Sequence, residues 1–423
     1  MKNLEVFGLP GIEVPPVDFQ KITQRIKSVV AVIQNHDSEE RFCRLGVKVI
    51  LGNPVFIDPN TIELKGNVYS AQRWVIATGS SPSVPPVPGL RETPHITNKE
   101  IFYMDKLPET LIIIGAGPIG IEMAQAFQRL GSKVFVIDKA EQILNKEDTD
   151  MADMVMEMLK SEGVVFHLGS TILEVKDLGN TKEVLLSDTM GMTARIKGDT
   201  ILVAMGRVPN TSGLGLEEIG VELENCAVKV DNRMRSNLKH IFAAGDVIGS
   251  YQFTHAAGYE GAIVISNAIF HLPKKADYTN FPWCTYTKPE LAGIGMNERA
   301  AKKAGIKYSI WTEAFKDNDR SLAEGEQKGI LKMLLNEKEK PVGIQIFGPN
   351  AGDLINEWVA VMAGNVTMSA LASAIHPYPT IGEINKRVAG SYLSTKIFSD
   401  TVKRGLKFFF NLKGRTSCAD YSS

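Results

Sequence analysis

Apolar and polar positions change their period several times along the chain. Near the start, Ile22, Ile26, Val29 and Ile33 recur at helical spacing behind Asp18, which is placed to cap a long helix expected to end before Gly46. Short apolar runs then predict strands at 47–51, 55–57, 61–64 and 74–77, and the proline-rich stretch 81–88 predicts a connector. From Leu111 the pattern is different. A solid apolar run, Leu111-Ile112-Ile113-Ile114, meets Gly115-Ala116-Gly117-Pro118-Ile119-Gly120. A helical pattern follows to Leu130, Gly131 stops it, and Val134 to Ile137 form a second strand. Strand, helix and strand at this spacing predict a parallel βαβ unit. Farther on, Ile241 to Ala244 predict a buried strand before Gly245-Asp246, with a helix after it. Beyond Asp277 strands and helices alternate as in an α+β domain, and a basic tail follows Ala389.

Composition narrows the function classes. A length of 423 residues with 44% apolar content supports two or three buried cores. A formal net charge of −1 lacks the basic footprint of a nucleic-acid binder. No apolar run approaches the roughly 20 residues of a membrane span, and no secretory signal opens the sequence. Cys43, Cys226, Cys284 and Cys418 form no CxxC or CxxxxC pair, so they read as structural or incidental thiols of a cytoplasmic protein. The seven histidines show no metal-ligand spacing, so no metal site is expected.

The glycines carry the chemistry. Gly115 permits a tight turn off the strand, Gly117 lets a pyrophosphate approach the backbone, and Gly120 lets helix and strand pack closely. The helix that begins there aims unpaired N–H groups and its positive end at the phosphates. Asp138 ends the second strand, where a carboxylate can accept from both hydroxyls of an adenosine ribose and repel a 2′-phosphate. NAD is therefore preferred, with NADP left open because Lys133 and Lys139 lie close in sequence.

Several motifs, in order, resemble those of the FAD-dependent pyridine nucleotide–disulfide oxidoreductases, in the dihydrolipoamide dehydrogenase and mercuric reductase branch. Ala77-Thr78-Gly79-Ser80 is similar to the family's ATG turn, and Gly206-Arg207-Val208-Pro209-Asn210 to its GRxPN loop. Ile241 to Asp246 resembles its second flavin motif, and Thr285 to Ala292 the start of its dimerisation domain. The resemblance implies two Rossmann-like dinucleotide-binding domains, the FAD one incomplete, plus a C-terminal α+β dimerisation domain. The expected boundaries are 1–108 with 237–276 for FAD, 109–236 for NAD(P), 277–390 for dimerisation and 391–423 for the tail. It implies FAD and NAD as cofactors, a homodimer, and a small-molecule electron acceptor such as a disulfide or a thiol-bound metal. Asp246 would hold the ribityl chain, although an isolated Asp there also suits a helix N-cap. Thr254 and His255 open a helix whose donors would face the flavin, the imidazole itself being equally consistent with a capping or core role. Arg207 either meets cofactor phosphate or braces a loop.

The sequence departs from the family in two places. It lacks the opening GxGxxG, the CxxxxC pair and the lysine that follows it. The missing strand is expected between 74–77 and 241–244, so the chain is expected to be truncated and not to hold FAD tightly. The alternative function is accordingly a non-catalytic nucleotide-binding or dimerising fragment. Glu122, whose family counterpart pairs with that lysine, is then vestigial or a first-turn glutamate suited to the helix dipole. Near the end, Tyr378 stands where a catalytic histidine is expected before Glu383, and His376 falls two residues early. Tyrosine is a poor base at neutral pH but can donate a hydrogen bond or touch a soft metal, or it is merely packed at an interface. The basic amphipathic tail is expected to pack its apolar face on its own domain, with contact to an anionic membrane surface as the alternative.

Overall fold

The computed structural model describes residues 8, 10 and 15–410 and is a mixed α/β protein. Cys418, Lys413 and Arg415 of the tail lie outside the described residues. The chain divides into two compact units, Met1–Asn145 with Met156–Asp277, and Lys146–Val155 with Tyr278–Ser423.

In the first unit Asp18 caps α1 (Phe19–Gln34) by accepting from the Lys21 N–H at 3.2 Å. The helix breaks at Asn35–Asp37, and Ser38 starts a separate α2 (Glu39–Arg44) by accepting from Arg41 N. One continuous helix toward Gly46 is therefore corrected to two, because Ser38 offers its own cap to a new start. Only Phe19 and Thr23 of α1 are buried, while Val29 and Ile33 of the expected apolar stripe are exposed. Residues 47–51 form no strand: they have no ladder partner, and Val47 and Leu51 face solvent. An antiparallel meander follows, β1 (Val55–Asp58), β2 (Thr61–Leu64) and β3 (Asn67–Ser70). Next come β4 (Trp74–Ile76) and, within the proline-rich connector, the short β5 (Ser80–Pro82).

The βαβ unit is as expected. β6 (Thr110–Ile114) leads through the glycines into α3 (Pro118–Leu130), which starts on Pro118 and ends on left-handed Gly131, and β7 (Lys133–Ile137) follows. Leu111 to Ile114 are at most 1% exposed, a gross contribution of about 6–12 kcal/mol for four large apolar side chains. A parallel strand buried on both faces needs such a run. α4 (Thr149–Ser161) leads to β8 (Val165–His167). A second meander comprises β9 (Thr171–Asp177), β10 (Lys182–Ser187) and β11 (Thr193–Gly198), and then β12 (Thr200–Val203) completes a parallel sheet of order β12-β6-β7-β8. β13 (Arg207–Pro209) pairs antiparallel with β5. The hairpin β14 (Leu223–Glu224) and β15 (Ala227–Val228) precedes β16 (Ile241–Ala243) and α5 (Thr254–Ala268). β16 bonds directly to β4 in parallel, Trp74 opposite Ile241 and Ile76 opposite Ala243. This overturns the expectation of a further strand between them, since hydrogen-bonded neighbours about 4.8 Å apart leave no room for one.

The second unit is built on an antiparallel sheet of order β17-β18-β21-β20-β19. In chain order it runs β17 (Pro282–Thr285), β18 (Glu290–Gly295), α6 (Glu298–Lys303), β19 (Tyr308–Ala314), α7 (Asp319–Glu324), β20 (Ile330–Asn336) and β21 (Pro341–Gly348). α8 (Ala351–Ala363), α9 (Met368–Ser373), α10 (Glu383–Ile397) and α11 (Asp400–Phe410) follow. α8 and α10 lay buried Trp358, Ile384 and Val388 on the sheet's apolar face. Buried Lys332 is held by Asp148 at 2.9 Å, Asp150 at 2.7 Å and Glu298 at 3.2 Å. One ammonium thus occupies the centre of a three-carboxylate cluster. Among the described residues no helix is long and apolar enough to cross a membrane.

Candidate functional site

Two sites take shape in the first unit. At the end of β6, Gly115 has φ +113°, and a Cβ added there would overlap the Ala204 carbonyl. Its N–H donates to Ile137 O at 2.8 Å, tying the turn to β7. A Cβ on Gly120 would overlap the Gly115 carbonyl oxygen and lie 3.3 Å from Ile113 Cγ2, so only glycine lets α3 sit this close to β6. Gly117 differs. It is the N-cap of α3 with ordinary φ −75°, no side chain caps the helix, and nothing lies within 4 Å of its Cβ direction. The three glycines thus form a strand-to-helix corner with open space beside the middle one, which fits a pyrophosphate. Asp138 is at the end of β7, where its Oδ2 accepts from Ala116 N at 2.6 Å and its Oδ1 from Ala140 N at 2.8 Å. Its carboxylate therefore orders the glycine turn itself. Glu122 is half-buried and belongs to the second turn of α3, so its reading as a first-turn glutamate is corrected.

The second site gathers motifs far apart in sequence. Thr78 Oγ1 donates to Asn210 O at 2.6 Å, and Asn210 Nδ2 donates back to Thr78 O at 2.9 Å. The Asn210 N–H also reaches Gly79 O at 2.9 Å. Gly206, at φ +90°, turns the chain into β13. Arg207 then donates through Nε to Ser80 Oγ at 2.6 Å and through Nη2 to Ser80 O at 2.8 Å, and it pairs with Asp246 at 3.3 Å. Ser80 Oγ donates to Asp246 Oδ2. Arg207 braces the Ser80 turn and Asp246 and also lines the adjoining cavity, so both roles read for it from the sequence stay open. Glu260, fully buried on α5, accepts from Gly245 N at 2.7 Å and steadies the turn that presents Asp246. A cavity of about 810 Å³ is lined by Ala77, Gly79, Arg207, Gly245, Asp246 and Thr254. Thr254 opens α5, whose N-cap Phe253 contributes no side-chain hydrogen bond to the helix end. A helix N-terminus and a carboxylate facing one large cavity fit a polyhydroxylated, anionic cofactor. His255 is exposed, its ring 5.2 Å from that of Phe253.

In the second unit, the loop 374–382 carries Tyr378, whose hydroxyl donates to Asp319 Oδ2 at 2.7 Å. That hydrogen bond and the aspartate's charge raise the phenol above its ordinary pKa, so Tyr378 is a neutral donor at physiological pH. Glu383 is the first residue of α10. His376 pairs instead with Glu357 at 2.8 Å, and Asn385 donates to the other oxygen of Glu357 at 2.8 Å. Ser80, Glu260, Asp319 and Glu357 were not foreseen as site residues. Only Glu260 had a visible signal, a single acid within the apolar helix 256–268.

The pyridine nucleotide-disulphide oxidoreductase family matches residues 14–261, more than half of the chain, and that family's dimerisation domain matches residues 281–389. The chain belongs to this family. It is 33% identical over 364 residues to a mercuric reductase of Lysinibacillus sphaericus, covering 86% of this chain and 66% of that protein. It is 32% identical over 405 residues to a dihydrolipoyl dehydrogenase of Geobacillus stearothermophilus, covering 94% and 84%. The chain therefore spans slightly less than two thirds of the mercuric reductase's length. Among solved structures, the Cu(II) complex of RclA, an HOCl-induced flavoprotein disulfide reductase from Escherichia coli, superposes with a TM-score of 0.82 at 27% identity. That match covers 89% of this chain and 86% of RclA.

Proposed function

We propose that this family member is an FAD-dependent NAD(P)H oxidoreductase acting as a homodimer. The observation that supports it most is the hydrogen-bonded set Thr78–Asn210 and Ser80–Arg207–Asp246, which joins three motifs at one cavity. Gly115, Gly117 and Gly120, with the N-terminus of α3, hold the nicotinamide dinucleotide, and Asp138 favours the unphosphorylated ribose of NAD. Asp246 would hold the ribityl hydroxyls, and the N-terminus of α5 at Thr254 would favour negative charge on a bound flavin. Bound there, FAD would supply two-electron redox chemistry between the nicotinamide and a small-molecule acceptor such as a disulfide or a thiol-bound metal. Residues 281–389 form the dimer contact by their family match. Tyr378 acts as a neutral hydrogen-bond donor near the acceptor, held in place by Asp319.

A second reading is a nucleotide-binding protein that retains flavin poorly. It is favoured by the sheet beside the cavity, which among the described residues has only β16 and β4 and leaves Val75 47% exposed. One experiment separates the two. The full chain is purified, its visible spectrum recorded, and NADH titrated under anaerobic conditions before and after added FAD. A flavin band bleached by NADH supports the oxidoreductase. NADH binding without any flavin retention or diaphorase turnover overturns it in favour of the second reading.

A further inference from the structure

Helix α11 lies beyond the matched dimerisation segment, which ends at residue 389. The tail expected to begin at 391 in fact starts inside α10, where Tyr392 and Leu393 pack on the domain, but every residue from Asp400 to Phe410 is exposed except half-buried Gly405. The preceding helix α10 buries Ile384, Val388 and Tyr392 in the core, but no residue of α11 joins that cluster. At about 100° per residue, Val402, Leu406, Phe409 and Phe410 share a sector roughly 100° wide. Phe409 and Phe410 are 80% and 68% exposed, far beyond what an isolated surface aromatic explains. Lys407 and Arg404 fall on the other side together with Asp400 and Phe408, and Lys403 borders the sector beside Phe410, so from 400 to 410 three positive charges stand against one negative.

We propose that α11 docks on an anionic lipid surface, its phenylalanine sector entering the headgroup–acyl boundary while the three cations meet lipid phosphates. The charge pattern selects this occupant. A second copy of the helix would set cation against cation with a single acid on each side, whereas an anionic leaflet complements all three. Charged residues interrupt the sequence from 400 to 423, so it holds no apolar run of the roughly 20 residues a span needs, and the helix lies in the interface plane. Because α11 shares no residue with the cofactor cavity or the Tyr378 loop, the inference stands apart from the proposed activity.

The test is cosedimentation of the full chain with vesicles of phosphatidylglycerol and phosphatidylcholine, and with phosphatidylcholine alone. Binding is expected to the anionic vesicles only and to weaken as salt rises. A triple Lys403→Gln, Arg404→Gln, Lys407→Gln variant is expected to bind about 100-fold more weakly. Removing the aromatics in Phe409→Ser and Phe410→Ser is expected to cost about tenfold each or more. Unchanged circular dichroism and thermal unfolding of these variants, expected because α11 contributes nothing to the core, guards against misfolding as the cause. The proposal fails if the intact chain ignores anionic vesicles at low salt, if it binds neutral vesicles equally, or if the triple variant binds like the parent. It also fails if the aromatic variants only dissociate an oligomer in sedimentation velocity, which would make a second copy the occupant.

Discussion

The glycine corner separates two roles that one motif usually confounds. At Gly120 an added methyl overlaps the Gly115 carbonyl oxygen and stands 3.1 Å from its carbon, both rigid backbone atoms. Either α3 moves away from β6 or the turn opens, and forcing a methyl group into a packed interior costs about 1–3 kcal/mol. Gly120→Ala is therefore expected to lower folding stability by that amount and to weaken NADH binding through the displaced helix. At Gly117 the same methyl meets nothing within 4 Å, and φ −75° is open to any residue. Gly117→Ala is expected to leave stability within about 1 kcal/mol of the parent, because the narrowed unfolded ensemble is offset by alanine's poorer fit at the N-cap of α3. The methyl then occupies the space assigned to the pyrophosphate, and the same 1–3 kcal/mol appears in binding, about 5- to 150-fold in Kd. Denaturant unfolding of the apoprotein and calorimetric NADH titration measure the two effects independently. If Gly117→Ala binds NADH as tightly as the parent, no pyrophosphate rests there and the reading of the corner is wrong. If Gly120→Ala is as stable as the parent, the close approach of α3 to β6 is not what requires glycine.

Three further outcomes follow from charge placement. Lys332→Met should destabilise by about 3–5 kcal/mol, because it strands Asp148, Asp150 and Glu298 without their shared ammonium. Burial pulls the Lys332 pKa down, but hydrogen bonds to Asp150 and Asp148 outweigh it and hold the value above that of a free lysine. Its contribution is thus full below the ordinary lysine value and is lost as pH rises through the raised one, so urea melts should show a penalty that is constant from pH 7 to 9. Glu147 is the opposite case: burial pushes its carboxyl up despite hydrogen bonds from the Trp283 indole at 2.6 Å and the Gln345 amide at 3.1 Å. Its protonated form is favoured in the fold, so stability falls as pH rises through the raised value. Glu147→Gln should match the parent in acid and exceed it at pH 8; parallel pH profiles would refute this. Asp138→Ala frees the Ala116 N–H that the carboxylate holds at 2.6 Å. It is expected to weaken NADH by about tenfold and to narrow the preference over NADPH, as measured by paired titrations. An unchanged cofactor ratio would remove Asp138 from the ribose site.

Much of this protein was legible wherever neighbouring residues alone set the outcome. The corner from Thr110 to Asp138 was foreseen nearly to its ends because a doubly buried strand, a glycine turn and a left-handed helix stop are each dictated within a few residues. The cap at Asp18 and the start of α5 at Thr254 were readable for the same reason. Elsewhere local pattern misled or was silent. The stripe Ile22–Ile33 looked like a core face, yet its distal half is exposed, because periodicity states which residues share a side and not what covers it. Residues 47–51 looked like a strand, but a strand exists only where a partner ladder does. The order of β4 and β16, the bond between Thr78 and Asn210 across 132 residues, and the pairing of Arg207 with Asp246 all depend on segments brought together by folding. His376, for which the sequence offered no partner, likewise finds Glu357, nineteen residues back on α8. Short-range sterics and burial reside in the chain's own order of residues, whereas hydrogen-bond partners are selected in three dimensions, where every buried donor must meet whichever acceptor the packed elements bring to it.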